Sequence, residues 1–431
     1  MDRMPAPLRT LAWMACAFAF CVIVFGAFVR LSNAGLSCPD WPTCYGRITW
    51  PVKPAAVARA DQAFPDRPVE TRKAWREQTH RFLAGTLGVL VLAEALAATF
   101  ARRRRFACVI AAVILIAIGI PLYMARSYLA SSVTAALGEL TLLCVALSWR
   151  GGGWRRIAVL ALAVVCFQAL LGMWTVTWLL KPIVVSGHLL GGMATFALLT
   201  WVAWRLSFSP LPSGAGETRR LRDAGGIARR VERAALDGRT GAKHRGWLLA
   251  DSHRARRLFV AAVIGVILLA CQIFLGGWTS SNYAALACGI GPGAFPKCLG
   301  QWWPPTDFHQ GFILWRGIGV NFEGGILDAA ARSAIQIAHR FGALVVFVYL
   351  AWLAHRVARA GLRGFGVALG VLLVAQVLLG IGNVVLGLPL PVAVAHNGGA
   401  ALLLFTLVAL LARTQTESSP LHATGRMGKC S

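Results

Sequence analysis

Apolar residues dominate ten stretches of this chain, and polar residues gather between them. The stretches fall at roughly 10–31, 79–100, 106–124, 132–149, 157–179, 183–205, 257–280, 334–357, 364–386 and 390–412, each long enough to cross a bilayer as a helix. The first is longer than the apolar core of a secretory signal, so it reads as a retained span. The pattern predicts an all-α polytopic membrane protein of about ten spans.

Composition supports this reading: 57% of the 431 residues are hydrophobic and 14% are charged. The net charge of +26 brings nucleic acid to mind. The basic residues, however, cluster at span ends and in one long linker, so nucleic-acid binding is set aside in favour of the positive-inside rule. Arg102 to Arg105, the segment from Arg150 to Arg156, and Arg356 with Arg359 all fall on one side. So does the stretch 205–257, with 13 Lys/Arg against 5 Asp/Glu. That side is expected to be cytoplasmic, with both termini on it. Loops 32–78 and 281–333 then face outward, which in a bacterial inner membrane means the periplasm.

The chain also repeats itself. Gly26 to Cys38 aligns without gaps to Gly276 to Cys288. His80-Arg81-Phe82 matches His339-Arg340-Phe341. QALLG beginning at Gln168 matches QVLLG beginning at Gln376, and a histidine follows each glutamine by 20 residues (His188 and His396). The alignment pairs spans 1, 2, 5 and 6 with spans 7, 8, 9 and 10. The expected architecture is two pseudo-repeated four-helix transmembrane bundles plus one inserted helical hairpin. The N-terminal bundle occupies 1–205, with the hairpin at about 106–150. A basic cytoplasmic linker, read as partly disordered, spans 206–256; the C-terminal bundle spans 257–412, and a polar tail 413–431.

Each bundle thus carries two histidines near its outer edge. His80 and His339 are expected to open their spans, and His188 and His396 to lie a few residues into theirs, about 5–9 Å below the helix start at 1.5 Å per residue. A lone histidine at a membrane edge often only meets water or a headgroup. Four at matching positions, two per bundle, resemble the way bundles build cofactor sites on facing helices. Two bis-histidine heme sites are the expectation, with zinc as the competitor. Zinc would want two further cysteine or carboxylate ligands nearby. His244, His253, His309, His355 and His422 lie in loops or at the cytoplasmic edge and are expected to be solvated.

One acid breaks the symmetry. Glu77 lies three residues before His80, on the same helix face. The matching residue before His339 is Gln336, which does not ionise. Glu77 is either an interfacial carboxylate paired with Arg76 or Arg81, or a catalytic group for proton transfer or cation stabilisation in the first half alone. Arg30, Arg81 and Arg340 share this face and are candidates for heme propionate contacts or ordinary snorkelling arginines. Of the 11 cysteines, Cys38/Cys44 and Cys288/Cys298 occupy the outer loops. They read as disulfides in an oxidising compartment, with redox-active thiols as the alternative.

The motif GAFVRLSNAGLSCPDWPTC at 26–44, Glu77-x-x-His80-Arg81, the Gln168-to-His188 spacing, and GVNFEGG at 319–325 ahead of His339-Arg340 together resemble the heme A synthase family. The likeness covers nearly the whole chain outside spans 3–4 and the linker. It implies a membrane oxidoreductase that oxidises the C8 methyl of heme O to a formyl group, by two hydroxylations and loss of water, to give heme A for cytochrome c oxidase. It implies substrate heme near His80 and His188 with Glu77 at the methyl, and heme b on His339 and His396. Heme O would come from a heme O synthase; the electron partner is unidentified and a homo-oligomer is left open. The family plan has eight spans, so the hairpin, the long linker and Glu139 within span 4 are departures. A diheme b-type electron carrier and a heme transporter or chaperone are the alternatives.

Overall fold

The computed structural model describes residues 6–149, 153–208 and 240–415. Ten of the described helices are long and apolar enough to cross a membrane. In chain order they are α1 (Ala6–Leu31), α3 (Thr71–Thr99), α4 (Arg103–Met124), α5 (Tyr128–Leu147), α6 (Gly153–Thr177), α7 (Pro182–Ser207), α8 (Thr240–Ser281), α10 (Ala329–Arg359), α11 (Arg363–Val385) and α12 (Leu390–Thr414). Two shorter helices lie in the loops: α2 (Pro54–Ala63) and α9 (Phe308–Gly311). All ten expected spans are present.

Several helices begin earlier than hydropathy indicated. His80 and His339 do not open their helices: α3 starts at Thr71 and α10 at Ala329. The histidines therefore sit about 14–15 Å along at 1.5 Å per residue, against about 9 Å for His188 and His396. The missing turns are polar (Thr71, Arg72, Lys73 and Arg76 in α3), and a hydropathy window does not register polar helix formers. In α10 the start is fixed by Asp328, whose side chain accepts a 2.8 Å hydrogen bond from the Ala331 amide. Most of the expected linker and the polar tail lie outside the described residues. Helix α8 nevertheless begins at Thr240, inside the stretch assigned to that linker.

Helices α1, α3, α6 and α7 form a ring in which α3 touches α1 and α6, and α7 touches α6 and α1. Helices α8, α10, α11 and α12 form a second ring with the same order of neighbours. In each ring the two histidine-bearing helices, α3 with α7 and α10 with α12, stand diagonally opposite. The α4–α5 hairpin packs on the outside of the first ring, against α3 and α6. The rings meet along α1, α7, α8 and α12. Small residues (Ala12, Ala15, Cys16 and Ala19) are fully or almost fully buried on α1. Phe196 and Phe405 stack across the seam with centroids 6.2 Å apart, and Phe20 lies tilted against Phe196 at 6.1 Å. The most apolar window of α12 is 61% buried, against 17% for α4, which places α12 at the centre and α4 at the lipid face.

The helix ends that carry the loops are matched as well. Helices α1 and α8 close on left-handed residues, Asn33 (φ 51°) and Tyr283 (φ 53°), and the next amide reaches back to Val29 and Thr279. Helices α6 and α11 turn into α7 and α12 through left-handed Leu180 and Leu388. Pro182 and Pro391 occupy the first turns that follow, where the missing N–H costs nothing.

The loop after α9 belongs to the second half of the chain but lies over the first ring. The Lys181 side chain, 1% exposed, donates to the Gly317 carbonyl at 2.8 Å and its ammonium sits 3.5 Å from the Trp315 ring centroid. The Phe322 amide donates to the Leu179 carbonyl at 3.1 Å, and Phe322 buries its ring among Leu36, Val176 and Leu180. Arg67 pairs with Glu323 at 2.8 Å. Lys181→Met is expected to loosen this strap by about 2 kcal/mol, the scale of a charge-assisted hydrogen bond. Faster amide exchange confined to residues 312–327 and 178–181 is the measurement; unchanged exchange there removes Lys181 as the anchor.

Candidate functional site

Four histidine rings lie against four glycines of the neighbouring helix. A Cβ added at Gly26 would fall 2.8 Å from His80 Cε1, and one at Gly172 3.1 Å from His188 Cε1. The same holds at Gly276 for His339 (3.3 Å) and at Gly380 for His396 (3.1 Å). A side chain at Gly26 would displace the ring, and at the other three the ring would have to give by a few tenths of an ångström. His80 and His188 stand on diagonal helices of the first ring, α3 and α7, and His339 and His396 on the matching diagonal of the second, α10 and α12. The structure places both histidines of each expected pair within one ring of helices. The sequence called the histidine pairs but not the diagonal on which they face.

Three of the four ring nitrogens Nδ1 (His80, His188 and His396) are buried without a hydrogen-bond partner. Burying a polar nitrogen unpaired is costly unless the ring has another task. The donor set fits an iron porphyrin: two neutral imidazoles on opposing helices, in a bundle too apolar for a hydrated ion. It does not fit zinc, because among the described residues no group of three or more His, Cys, Asp or Glu gathers. His309 and His355 are exposed, as expected; His244, His253 and His422 are not among the side chains described.

Each pair lies under a disulfide loop. Cys38 is bonded to Cys44 and Cys288 to Cys298. In each loop a short backbone bridge follows the second cysteine, Cys44 to Arg47 and Cys298 to Gln301. The arginines that follow His80 and His339 tie the two loops down. Arg81 donates to the carbonyls of Thr43 (2.6 Å) and Asp40 (2.9 Å); Arg340 donates to those of Ala294 and Lys297 (both 2.9 Å). Arg30 reaches across the seam to the Ser280 carbonyl at 2.7 Å and lies 4.7 Å from the Tyr283 ring centroid. The three arginines therefore hold protein carbonyls. Nε of Arg30 and Nε of Arg340 are buried and unpaired, and these are donors left for an anionic group. The Cys38→Ser/Cys44→Ser variant is expected to lose about 2 kcal/mol, the chain-entropy value for so short a loop. Thermal unfolding in detergent measures it, and an unchanged midpoint would show that the Arg81 and Glu77 contacts hold the loop alone.

Glu77 is 5% exposed and both its oxygens are engaged. Oε1 pairs with Arg81 at 2.6 Å. Oε2 accepts from the Cys38 amide at 2.8 Å and from the Ser37 hydroxyl at 3.2 Å. Of the two arginines weighed from sequence, Arg81 is the one bonded to Glu77. Gln336, in the matching place, is equally buried, and its Oε1 has no partner. The first pair thus has a carboxylate built into its roof and the second does not.

Sequence reading missed a third glutamine. Gln168 and Gln376 stand four residues before Gly172 and Gly380; Gln272 stands four before Gly276 in the same way. The signal was present, since Gln-x-x-x-Gly occurs three times, each time ahead of a His-x-x-Gly.

Against this geometry, the sequence matches the model of the COX15-CtaA family, described as cytochrome oxidase assembly protein, over residues 9–122 and 118–408. The chain belongs to that family. It is 37% identical over 394 residues to a protein of Shewanella oneidensis named heme A synthase, covering 91% of this chain and 92% of that one. It is 24% identical over 425 residues to a heme A synthase of Rhizorhabdus wittichii, covering 94% and 93% of the two chains. A heme A synthase of Maricaulis maris is 39% identical over 153 residues, 35% of this chain and 40% of that one. The two matched stretches of the family meet inside α4, within the hairpin that the repeat does not account for.

Proposed function

We propose that the two rings of this heme A synthase divide the work: heme O is oxidised in the first, and heme b is held in the second. By family and by its relatives the protein is a membrane oxidoreductase converting heme O to heme A, the heme of cytochrome c oxidase. One observation carries the division. Both rings of helices present two half-buried histidines under a disulfide loop, and only the first has a buried carboxylate three residues before its first histidine, Glu77, where the second has Gln336.

His80 and His188 would hold the substrate iron, and His339 and His396 the iron of heme b. Heme b, when bound, supplies a one-electron carrier. The protein's own groups do the rest. Glu77 is held rigid by Arg81, Ser37 and Cys38, so its charge is fixed in place before substrate arrives. Its three contacts leave it better suited to stabilising positive charge on the substrate than to shuttling a proton. Arg30 Nε and Arg340 Nε would face the propionates. The loop of the second half, strapped down by Lys181 and Phe322, covers the first ring and excludes water from it. The disulfide loops would face the periplasm and the arginine-rich ends the cytoplasm of a bacterial inner membrane.

The test is expression in a strain that makes heme O but no heme A, followed by chromatography of the extracted pigments. Heme A should appear. Heme O recovered unchanged, with heme b beside it, would favour an electron carrier or a heme chaperone and would overturn the reading.

A further inference from the structure

In three of the four histidine places a glutamine is wedged into the helix that carries the histidine. Gln168 donates from Nε2 to the His188 carbonyl. Gln272 donates to the His339 carbonyl at 2.9 Å and its amide nitrogen lies 3.0 Å from His339 Nδ1. The Gln376 amide nitrogen lies 3.4 Å from His396 Nε2. Each glutamine fits a notch left by a glycine one turn after the histidine. A Cβ at Gly191, Gly342 or Gly399 would collide with Oε1 of Gln168, Gln272 or Gln376. The fourth place lacks both halves of this wedge. Four residues before Gly26 stands Val22, and three after His80 stands Leu83. Helix α3 hangs instead from the outer loop, through Arg81, Glu77, and Gln78, which donates to the Ile48 carbonyl at 2.6 Å.

We propose that His80 is the releasable axial ligand, and that Val22 and Leu83 are positioning residues that make it so. This rests on the reading that each ring holds a bis-histidine heme. Gln272 holds both ring and backbone of its histidine, Gln168 the backbone and Gln376 the ring; a ligand held in either way by a neighbouring helix keeps its orientation toward its metal when the bond opens. His80 has no such clamp. A substrate site must admit heme and let product go; a permanent electron carrier need not. The unclamped histidine is the one beside Glu77, in the ring assigned to substrate.

Carbon monoxide reads this without turnover, because it binds ferrous six-coordinate heme only after an axial ligand has left. The full chain, purified with its hemes, is first examined by electron paramagnetic resonance. Two low-spin bis-histidine signals support the two-site reading; a single one overturns that reading and this inference with it. With two hemes present, reduced wild type should bind carbon monoxide at one heme and not at the other. In V22Q/L83G, which installs the clamp, that binding should slow about 10-fold, the low end of what such supporting contacts are worth. In Q272V/G342L the second heme should begin to bind carbon monoxide. Two resonance signals with wild-type carbon monoxide kinetics in V22Q/L83G would overturn the assignment of His80 while leaving the two-site reading intact. Where that variant fails to accumulate, Gln272→Val decides: an unreactive second heme would show that the glutamine does not hold its ligand and would overturn the proposal.

Discussion

Glu77→Gln is expected to keep heme in both rings and to lose heme A output by about 100-fold or more, the scale seen when one preorganised stabilising group is removed from an active site. The second ring supplies the control for folding. Gln336 already occupies the matching position, buried under its own disulfide loop, so a glutamine there is compatible with the architecture. What the substitution removes is the fixed negative charge and the ion pair with Arg81. The pigments extracted from the variant, grown in the background that makes heme O but no heme A, give the answer. Wild-type heme A from Glu77→Gln would end any role for that carboxylate in the reaction and leave it as an anchor for Arg81 and the Cys38 loop.

His396→Ala should strip the second ring of its heme while the first keeps its own. Truncation leaves His339 as the sole ligand and opens a void beside Gly380, where the ring is now packed with no room for another Cβ. A loss of affinity beyond about 10-fold is the least expected, since removing even a supporting contact of a metal ligand costs that much. Heme content per chain, measured as the pyridine complex after purification, should fall from two to one, and heme A formation should fall with it for want of the carrier. If the variant retains two hemes, His396 is not a ligand and the diagonal pairing with His339 has another purpose. If it retains one and still makes heme A at the wild-type rate, the second ring is structural.

Much of this protein was legible before its structure. Ten spans follow from hydropathy, because a bilayer admits few alternatives to a long apolar helix. The two histidine pairs, the two cysteine pairs and the contrast of Glu77 with Gln336 follow from aligning the chain with itself, since equivalent residues in a repeat are exposed to the same constraints. The helix starts were less legible. The polar turns of α3 and α10 before His80 and His339 are held by loop contacts and an aspartate cap, which hydropathy does not register. The arginines illustrate another limit. Arg30, Arg81 and Arg340 were recognisable as cations at the right edge, but which carbonyls they hold depends on loops folding back over the helices.

The sequence by itself determined the number of spans, the paired histidines and the contrast of Glu77 with Gln336, because these are recorded in local composition and in repeats. Only the tertiary structure decided that the histidine helices stand diagonally, that the loop of one half covers the other, and that three histidines are wedged by glutamine while His80 is not. Those are contacts between residues far apart in the chain. They depend on how closely two helices approach, and that distance is set by the pairing of a glycine on one with a side chain on the other.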